Sequence, residues 1–228
     1  SDIQTIRLIL KTFKQDKRGI MIFPEGNSSY FGEETKTDFQ PTAKLIKKIE
    51  EDLVYAKIDG GFLASPRWGK IRKKGFYHIH YHRLLTKEQI HQMEISELER
   101  FLEQRMAFND YEWNRKEMHV YRSNHKAEGL EKYLYVCPSC QGVQTIKTKH
   151  NDIYCDRCGK IAHINAYSFL EGPPFDNLIE WGKLQEKALG EILKNDISSH
   201  GEFYGVDFEK NKRISYGHAK VTLKKGIL

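Results

Sequence analysis

Four cysteines constrain this 228-residue chain more than any other feature, because they occur as two closely spaced pairs. Cys137 and Cys140 form one Cys-x-x-Cys turn, Cys155 and Cys158 form the second, and residues 141–154 lie between them. Each such turn presents two thiolates at one corner, and two turns complete a tetrahedron around a metal ion. The spacing therefore predicts a structural Zn²⁺ site in a reducing compartment, with bound iron or a redox pair as the alternative.

The residues around the two turns predict the short strands of a zinc ribbon. Apolar and aromatic side chains at 133–136 precede the first turn, and a similar run at 152–154 precedes the second. A site closed by four cysteines leaves no open position for a substrate. We therefore expect this metal to stabilise the fold rather than to take part in a reaction.

A second informative stretch lies at residues 20–29, where four apolar residues end in Pro-Glu-Gly and a run of small polar residues. This pattern predicts a buried strand that opens into a turn. A helix at 41–51 and a strand at 53–58, which stops at Asp59-Gly60-Gly61, follow it. Strand, helix and strand in this order predict a parallel βαβ unit whose two strand ends share one edge of the sheet. The plainer alternative is a tight turn whose Glu25 faces water.

The chain as a whole predicts an α/β fold, with a partial mixed or parallel sheet, flanking helices, a zinc ribbon and a small β-rich module. A capping box at Thr86 and Gln89 predicts a helix through residue 106, and Asp176 is a candidate cap for a helix near the end. Short strands are expected at 202–206, 213–216 and 219–223. The predicted units are residues 1–107, a linker at 108–130, the ribbon at 131–165, and a helix with the β module at 166–228.

Two further clusters are expected to be structural. The basic run at residues 70–75 predicts a solvated hairpin, with a contact to phospholipid head groups or an acyl carrier as the functional alternative. His78, His80 and His82 alternate along a predicted strand and so share one face. Because no acidic or cysteine ligand accompanies them in the sequence, we interpret them as a polar strand face.

The Phe-Pro-Glu-Gly sequence at residues 23–26 resembles a motif of the glycerolipid, or lysophosphatidate-type, acyltransferases. The segment at residues 59–68 looks like the glycine-turn block that follows this motif in the family. Ala-Glu-Gly-Leu-Glu at 127–131, leading into the first cysteine turn, is similar to the linker and ribbon appended to some Firmicute-type members. The resemblance covers the C-terminal half of the acyltransferase domain, to about residue 105, and the ribbon.

The resemblance implies an acceptor-binding pocket. It comprises Phe23, Pro24, Glu25, Gly26, Asn27, Ser28, Gly60 and Arg67. The family usually has an arginine where this chain has Ser28. That departure leaves backbone N–H groups and hydroxyls, or Arg67, to hold the acceptor phosphate, and it leaves the exact acceptor open.

The catalytic His-x-x-x-x-Asp pair of the family does not occur in these residues. In the family this motif lies upstream of Phe-Pro-Glu-Gly, so it would precede Ser1. We therefore expect the chain to be cut short at both ends, to contain no catalytic residue, and to be inactive alone.

The function implied by the resemblance is transfer of a fatty acyl group from acyl-CoA or acyl-carrier protein to a lysophosphatidate-like acceptor, in phospholipid biosynthesis. The net charge of +6 suits an anionic membrane surface. The expected location is the cytoplasmic, inner face of the membrane, with peripheral attachment. The alternative is a non-catalytic zinc-ribbon module that binds protein or nucleic acid. Nucleic acid is the less expected partner, because the ribbon lacks interleaved basic and aromatic residues.

Overall fold

The structure is a computed structural model that describes residues 3–69 and 73–225. It is a mixed α/β fold built from helices and small antiparallel sheets. The helices are α1 (Ile3–Lys14), α2 (Gln40–Ile49), α3 (Gly61–Ala64), α4 (Lys87–Gln92), α5 (Ile95–Met106), α6 (Asp110–Glu117) and α7 (Leu178–Ile192). The strands are β1 (Leu53–Asp59), β2 (His78–Leu85), β3 (Ile146–Lys149), β4 (Asp152–Cys155), β5 (Gly159–Ile164), β6 (Leu170–Glu171), β7 (Ile197–Asp207) and β8 (Lys212–Leu223).

The N-terminal sheet consists of β1 and β2, which pair antiparallel from Leu53 opposite Leu85 to Asp59 opposite His78. Helices α2, α4 and α5 pack beside it around a small apolar cluster. Its buried members are Phe39, Ala43, Ile46, Leu85, Ile90, Leu98 and Leu102. The predicted capping box starts α4, since the Gln89 N–H donates to the Thr86 hydroxyl and the Thr86 N–H donates to the Gln89 side chain. The single helix expected up to residue 106 is two helices, because Met93 and Glu94 are extended between them.

The prediction of a parallel βαβ unit is wrong. Residues 20–23 form no strand, and Met21 and Phe23 are 70% and 74% exposed. Within the described residues β1 pairs with β2, which runs antiparallel to it. Four consecutive apolar residues carry no period, so the sequence alone cannot tell a buried strand from an exposed loop here.

The larger core lies around the four-stranded antiparallel sheet β3-β4-β5-β6 and helix α7. It also includes α3, Trp68 and residues of α6, so this core crosses the predicted boundaries after residues 107 and 130. The stretch expected to be a linker contains α6, whose Tyr111 and Asn114 are buried. The domain limits themselves stay a prediction.

A buried carboxylate links α6 to the turn after β1. Asp110 accepts hydrogen bonds from the backbone N–H groups of Gly60, at 2.9 Å, and Phe62, at 2.8 Å. Burial raises the pKa of Asp110 to about 6, although these N–H groups oppose the rise. The Gly60 turn is therefore fixed from inside the protein.

The C-terminal strands β7 and β8 form a long two-stranded hairpin. The three short strands predicted at 202–223 are parts of these two. Most of the hairpin side chains are exposed. Within the described residues, no helix combines the length and the apolar character that crossing a membrane requires.

The first prediction concerns Gly129, which has φ +101° and lies against the backbone of Trp68. An added Cβ would overlap the Trp68 carbonyl oxygen, so Gly129→Ala should lower the free energy of unfolding by about 3 kcal/mol in chemical denaturation. Gly217 is the matched control, because its φ is +89° and nothing lies within 4 Å of the position that a Cβ would take. Gly217→Ala should cost only about 1 kcal/mol, and equal losses in both variants would contradict the steric explanation.

Candidate metal centre

The structure brings the four predicted cysteines together. The turn that carries Cys137 and Cys140 follows an extended segment, whereas Cys155 ends β4 and Cys158 directly precedes β5. All four sulfur atoms lie within 4.8 Å of one another. The Sγ atoms of Cys137 and Cys158 are 4.0 Å apart, and those of Cys140 and Cys155 are 3.7 Å apart. The group can therefore hold a metal ion.

These separations fit a tetrahedral site. Metal–sulfur bonds of about 2.3 Å in a tetrahedron place neighbouring sulfur atoms about 3.8 Å apart. Cys137 and Cys155 are buried, while Cys140 and Cys158 are exposed. One side of the site is thus embedded in the core and the other side faces solvent.

The segment before Cys137 is held by α7 and by a short backbone pairing with residues 142–144. Trp181, which is fully buried, donates from Nε1 to the Val136 carbonyl at 2.9 Å. The Gln185 side chain accepts from the Tyr135 N–H at 2.6 Å and donates to the Tyr133 carbonyl at 3.2 Å. The strand predicted at 133–136 is therefore an extended segment with a single bridge at Val136. The strand predicted at 152–154 is β4 and is confirmed.

Neighbouring groups shift the pKa values of the thiols in opposite directions. Burial raises the pKa of Cys155, but the Thr145 hydroxyl and the N–H groups of Arg157 and Cys158 outweigh it and lower the pKa to about 6. The hydrogen bond with Cys140, followed by burial, raises the pKa of Cys158 to about 12. The Cys155 thiol therefore ionises readily, whereas ionisation of the Cys158 thiol is opposed. A bound cation favours the thiolate form of both.

The predicted acceptor-site residues take part in several separate contacts. Glu25 accepts at Oε2 from the Thr35 hydroxyl, at 3.0 Å, and from its N–H, at 3.3 Å. Arg67 donates from Nη1 to the Ser28 carbonyl at 3.2 Å, so these two residues are in contact as neighbouring loops. Gly60 gives its N–H to Asp110, so that donor is already engaged and does not face a ligand phosphate.

The remaining residues of the predicted pocket lie in the same surface turn. Gly26 has φ +67° and donates its N–H to the Phe23 carbonyl at 3.1 Å, which closes the turn around Pro24. Phe23 and Asn27 are exposed, and Pro24 is half-buried. The motif is therefore a surface turn without a buried strand behind it.

The basic run differs from its prediction at Lys73. Residues 70–72 lie outside the described residues. Lys73 is buried instead of solvated, with Nζ 3.4 Å from the Ser168 hydroxyl, and burial together with the nearby Lys126 lowers its pKa to about 7. The backbone of Lys74 pairs with that of Arg122. Lys73 is thus anchored in the core, whereas Lys74 and Gly75 are exposed.

Two interactions could not be read from the sequence. Asp110 follows Asn109, which caps α6 by accepting from the Glu112 N–H at 2.9 Å. The cap is a local signal, but the bond from Asp110 to Gly60 spans 50 residues. The contact between Thr35 and Glu25 likewise depends on the path of the intervening loop.

The histidines at 78, 80 and 82 lie on β2, and the rings of His80 and His82 stack at 6.1 Å. Within residues 3–69 and 73–225 they belong to no converging group of metal ligands.

Comparison of the chain with protein-family models, with curated proteins and with solved structures finds no match. The function is therefore inferred from the residues themselves.

The second prediction concerns removal of the metal. Chelation should lower the free energy of unfolding by at least about 3 kcal/mol, because the metal–sulfur bonds that join the two cysteine turns would be lost. It should also red-shift the tryptophan fluorescence, since Trp181 bonds to the residue before Cys137. Metal analysis and denaturation with and without chelator measure both effects.

Cys137→Ser should reduce the thiolate-bound metal to a small fraction, whereas Ser139→Ala, in the same turn, should leave it unchanged. Full metal retention in Cys137→Ser, with no effect of chelator on stability, would contradict the site.

Proposed function

We propose that this chain is part of an acyltransferase that moves a fatty acyl group from a thioester donor, acyl-CoA or acyl-carrier protein, to a lysophosphatidate-like acceptor in phospholipid biosynthesis. The observation that carries the proposal is the contact between Arg67 and the loop of the Phe-Pro-Glu-Gly turn. The contact brings a cation next to Ser28, two residues after Gly26, the position at which the family that this chain resembles usually has an arginine.

Arg67 is suited to hold an acceptor phosphate. Its guanidinium lies 4.3 Å from the centroid of the Tyr30 ring and donates one N–H to the Ser28 carbonyl. The side chain is exposed, and a guanidinium has five N–H donors in a planar fork that matches phosphate oxygens. The ring and the carbonyl position the fork, and its remaining donors face the ligand in this proposal.

Glu25 is suited to bind the glycerol part of the acceptor. The Thr35 hydroxyl and N–H both donate to Oε2, which fixes the carboxylate in the turn. A fixed carboxylate accepts hydrogen bonds from substrate hydroxyls at a lower cost in side-chain entropy than a mobile one. We assign Glu25 to orientation of the acceptor and not to proton transfer.

The N-terminal region is suited to an anionic membrane surface. Helix α1 has no buried side chain, and the segment after it is also exposed. Helix α1 is amphipathic, with its basic side chains and most of its apolar ones on different faces, which is typical of helices that lie on anionic lipid. The basic residues are Arg7, Lys11, Lys14, Lys17 and Arg18, and the most exposed apolar residues are Ile3, Leu8, Met21 and Phe23.

In this proposal the metal is Zn²⁺ and its role is structural. Four thiolates at tetrahedral spacing are the donor set of closed zinc sites. Two of the ligands, Cys137 and Cys155, belong to the larger apolar core, so the ion stabilises the fold that also contains α3 and Trp68.

The third prediction tests the acyl transfer. The complete product of the gene that encodes this chain should transfer acyl groups from acyl-CoA or acyl-carrier protein to lysophosphatidate. Arg67→Ala should raise the KM for lysophosphatidate at least about tenfold, since one charge-assisted phosphate contact contributes about 1.5–3 kcal/mol. Glu25→Ala should lower kcat/KM by a similar factor.

Arg100→Ala and Glu103→Ala are matched controls, because both side chains are exposed on α5 and far along the chain from the turn. They should leave the kinetics unchanged. Unchanged kinetics in both Glu25→Ala and Arg67→Ala would remove the acceptor site from this turn, and absence of any acyl transfer would remove the function.

A second candidate function, a nucleic-acid-binding module, is favoured by the β7–β8 hairpin. Its exposed surface interleaves aromatic and basic side chains, the combination on which single-stranded nucleic acid stacks. The aromatic residues are Phe203, Tyr204, Phe208 and Tyr216, and the basic ones include Lys210, Lys212 and Arg213. The ribbon itself offers no such surface, so this candidate depends on the hairpin.

The fourth prediction separates the two candidates. A nucleic-acid-binding module predicts salt-dependent binding of a fluorescent single-stranded oligonucleotide, weakened at least about fivefold by Phe208→Ala/Tyr216→Ala. Val221→Ala, an apolar change on the same hairpin, should not weaken it. Lack of binding at low salt would eliminate this candidate and leave the acyltransferase proposal unaffected.

A further inference from the structure

We propose that His125, Glu128 and His150 form a second metal site, open to solvent, for a divalent transition-metal ion. Their ligand atoms lie within 4.8 Å of one another. Nδ1 of His125 is 2.8 Å from Oε1 of Glu128, and Nδ1 of His150 is 3.6 Å from the same oxygen. The two imidazole rings stand 5.4 Å apart between centroids. Two nitrogens and one carboxylate oxygen therefore converge on one point.

The separations match those of coordinated ligands. Bonds of about 2.1 Å from a metal to nitrogen and oxygen give ligand–ligand distances of about 3.4 Å in a tetrahedron and about 3.0 Å in an octahedron. The observed 2.8 and 3.6 Å lie on either side of these values. An ion can thus enter with small side-chain movements.

The backbone already holds the two segments that carry the ligands. The Ala127 N–H donates to the His150 carbonyl at 3.0 Å, and the Lys126 N–H donates to the Asn151 side chain at 2.9 Å. The His150 N–H donates to Oε1 of Glu128 at 3.1 Å. Ala127, which lies between His125 and Glu128 in the sequence, is fully buried. Binding of an ion therefore does not have to order a loop, so the entropy cost of loop ordering is avoided.

The donor set selects the class of ion. Two imidazoles and one carboxylate suit Zn²⁺, Co²⁺, Ni²⁺ or Cu²⁺, whereas Ca²⁺ and Mg²⁺ require mainly oxygen ligands. The three side chains are between 38% and 60% exposed, so ions and water reach the site. Three protein ligands leave a further position for water or a small anion, unlike the closed four-cysteine site.

The site is distinct from the cysteine centre. Strands β3 and β4 form a hairpin in which Ile146 pairs with Cys155 at one end and Lys149 with Asp152 at the other. His150 lies in the turn at that second end. Three residue steps along the strands separate the two positions by about 10 Å. An ion at this turn would join the loop at 125–128 to the ribbon hairpin.

The fifth prediction tests this site with Ni²⁺ in the untagged protein whose cysteine centre is loaded with Zn²⁺. Calorimetric titration should show one further saturable ion per chain. His125→Ala and His150→Ala should each weaken its binding at least about tenfold, since even indirect supports of a metal site contribute a factor of about 10–100. The thiolate-bound Zn²⁺ should remain at full occupancy.

His91→Ala is the matched control, because His91 and Glu50 form an exposed pair at 2.6 Å that belongs to no group of three metal ligands among the described residues. It should not change Ni²⁺ binding. Glu128→Gln keeps an oxygen acceptor for the His150 N–H, so it should weaken Ni²⁺ binding while the melting temperature without Ni²⁺ stays near that of the parent.

Histidine side-chain NMR gives an independent readout, since paramagnetic Ni²⁺ should broaden the resonances of His125 and His150 before those of His91. Equal Ni²⁺ affinity in the parent and in the His125→Ala/His150→Ala double variant would overturn the proposal. Binding in the parent that is weaker than about 1 mM would also overturn it.

Discussion

Helix α7 determines the shape of the segment that leads into the cysteine site. Trp181 donates to the Val136 carbonyl across 45 residues, and Gln185 bonds to the backbone of Tyr133 and Tyr135. These hydrogen bonds add to the bridge between Val136 and Val143, and a buried backbone group without a partner would cost about 1–3 kcal/mol. The first pair of thiols is therefore positioned by a helix that follows the ribbon, and the two form one structural unit.

The same core reaches the N-terminal part of the protein through α3 and α6. Phe62 and Tyr111 meet edge to face at 6.0 Å, and Trp68 donates to the Lys126 carbonyl at 3.1 Å. Asp110 fixes the turn after β1 from within this core. The proposed acceptor residue Arg67 lies next to Trp68 in sequence, so the position of its guanidinium depends on the packing that also supports the ribbon.

Local signals predicted much of the secondary structure. The capping box at Thr86, the amphipathic helices α2 and α7, and strands β1 and β4 could be read from neighbouring residues alone. The cap of α7 is Asn177, one residue after the predicted Asp176. The prediction of a strand at residues 20–23 was wrong, and the helix expected up to residue 106 is broken at Met93 and Glu94. At residues 20–23 the sequence supplies an apolar run, but whether such a run is buried depends on partners that are distant in the chain.

The sequence by itself predicted the four-cysteine group, because two residues between cysteines allow both thiols to lie at one corner of a turn, and two such turns supply the four ligands of a tetrahedral site. Only the tertiary structure decided the antiparallel pairing of β1 with β2, the burial of Asp110 and Lys73, and the meeting of His125 and Glu128 with His150. The bond of His150 to Glu128 spans 22 positions of the chain, and that of Gly60 to Asp110 spans 50. Spacing along the chain encodes local geometry, whereas the packing of separate elements sets which distant side chains share one environment.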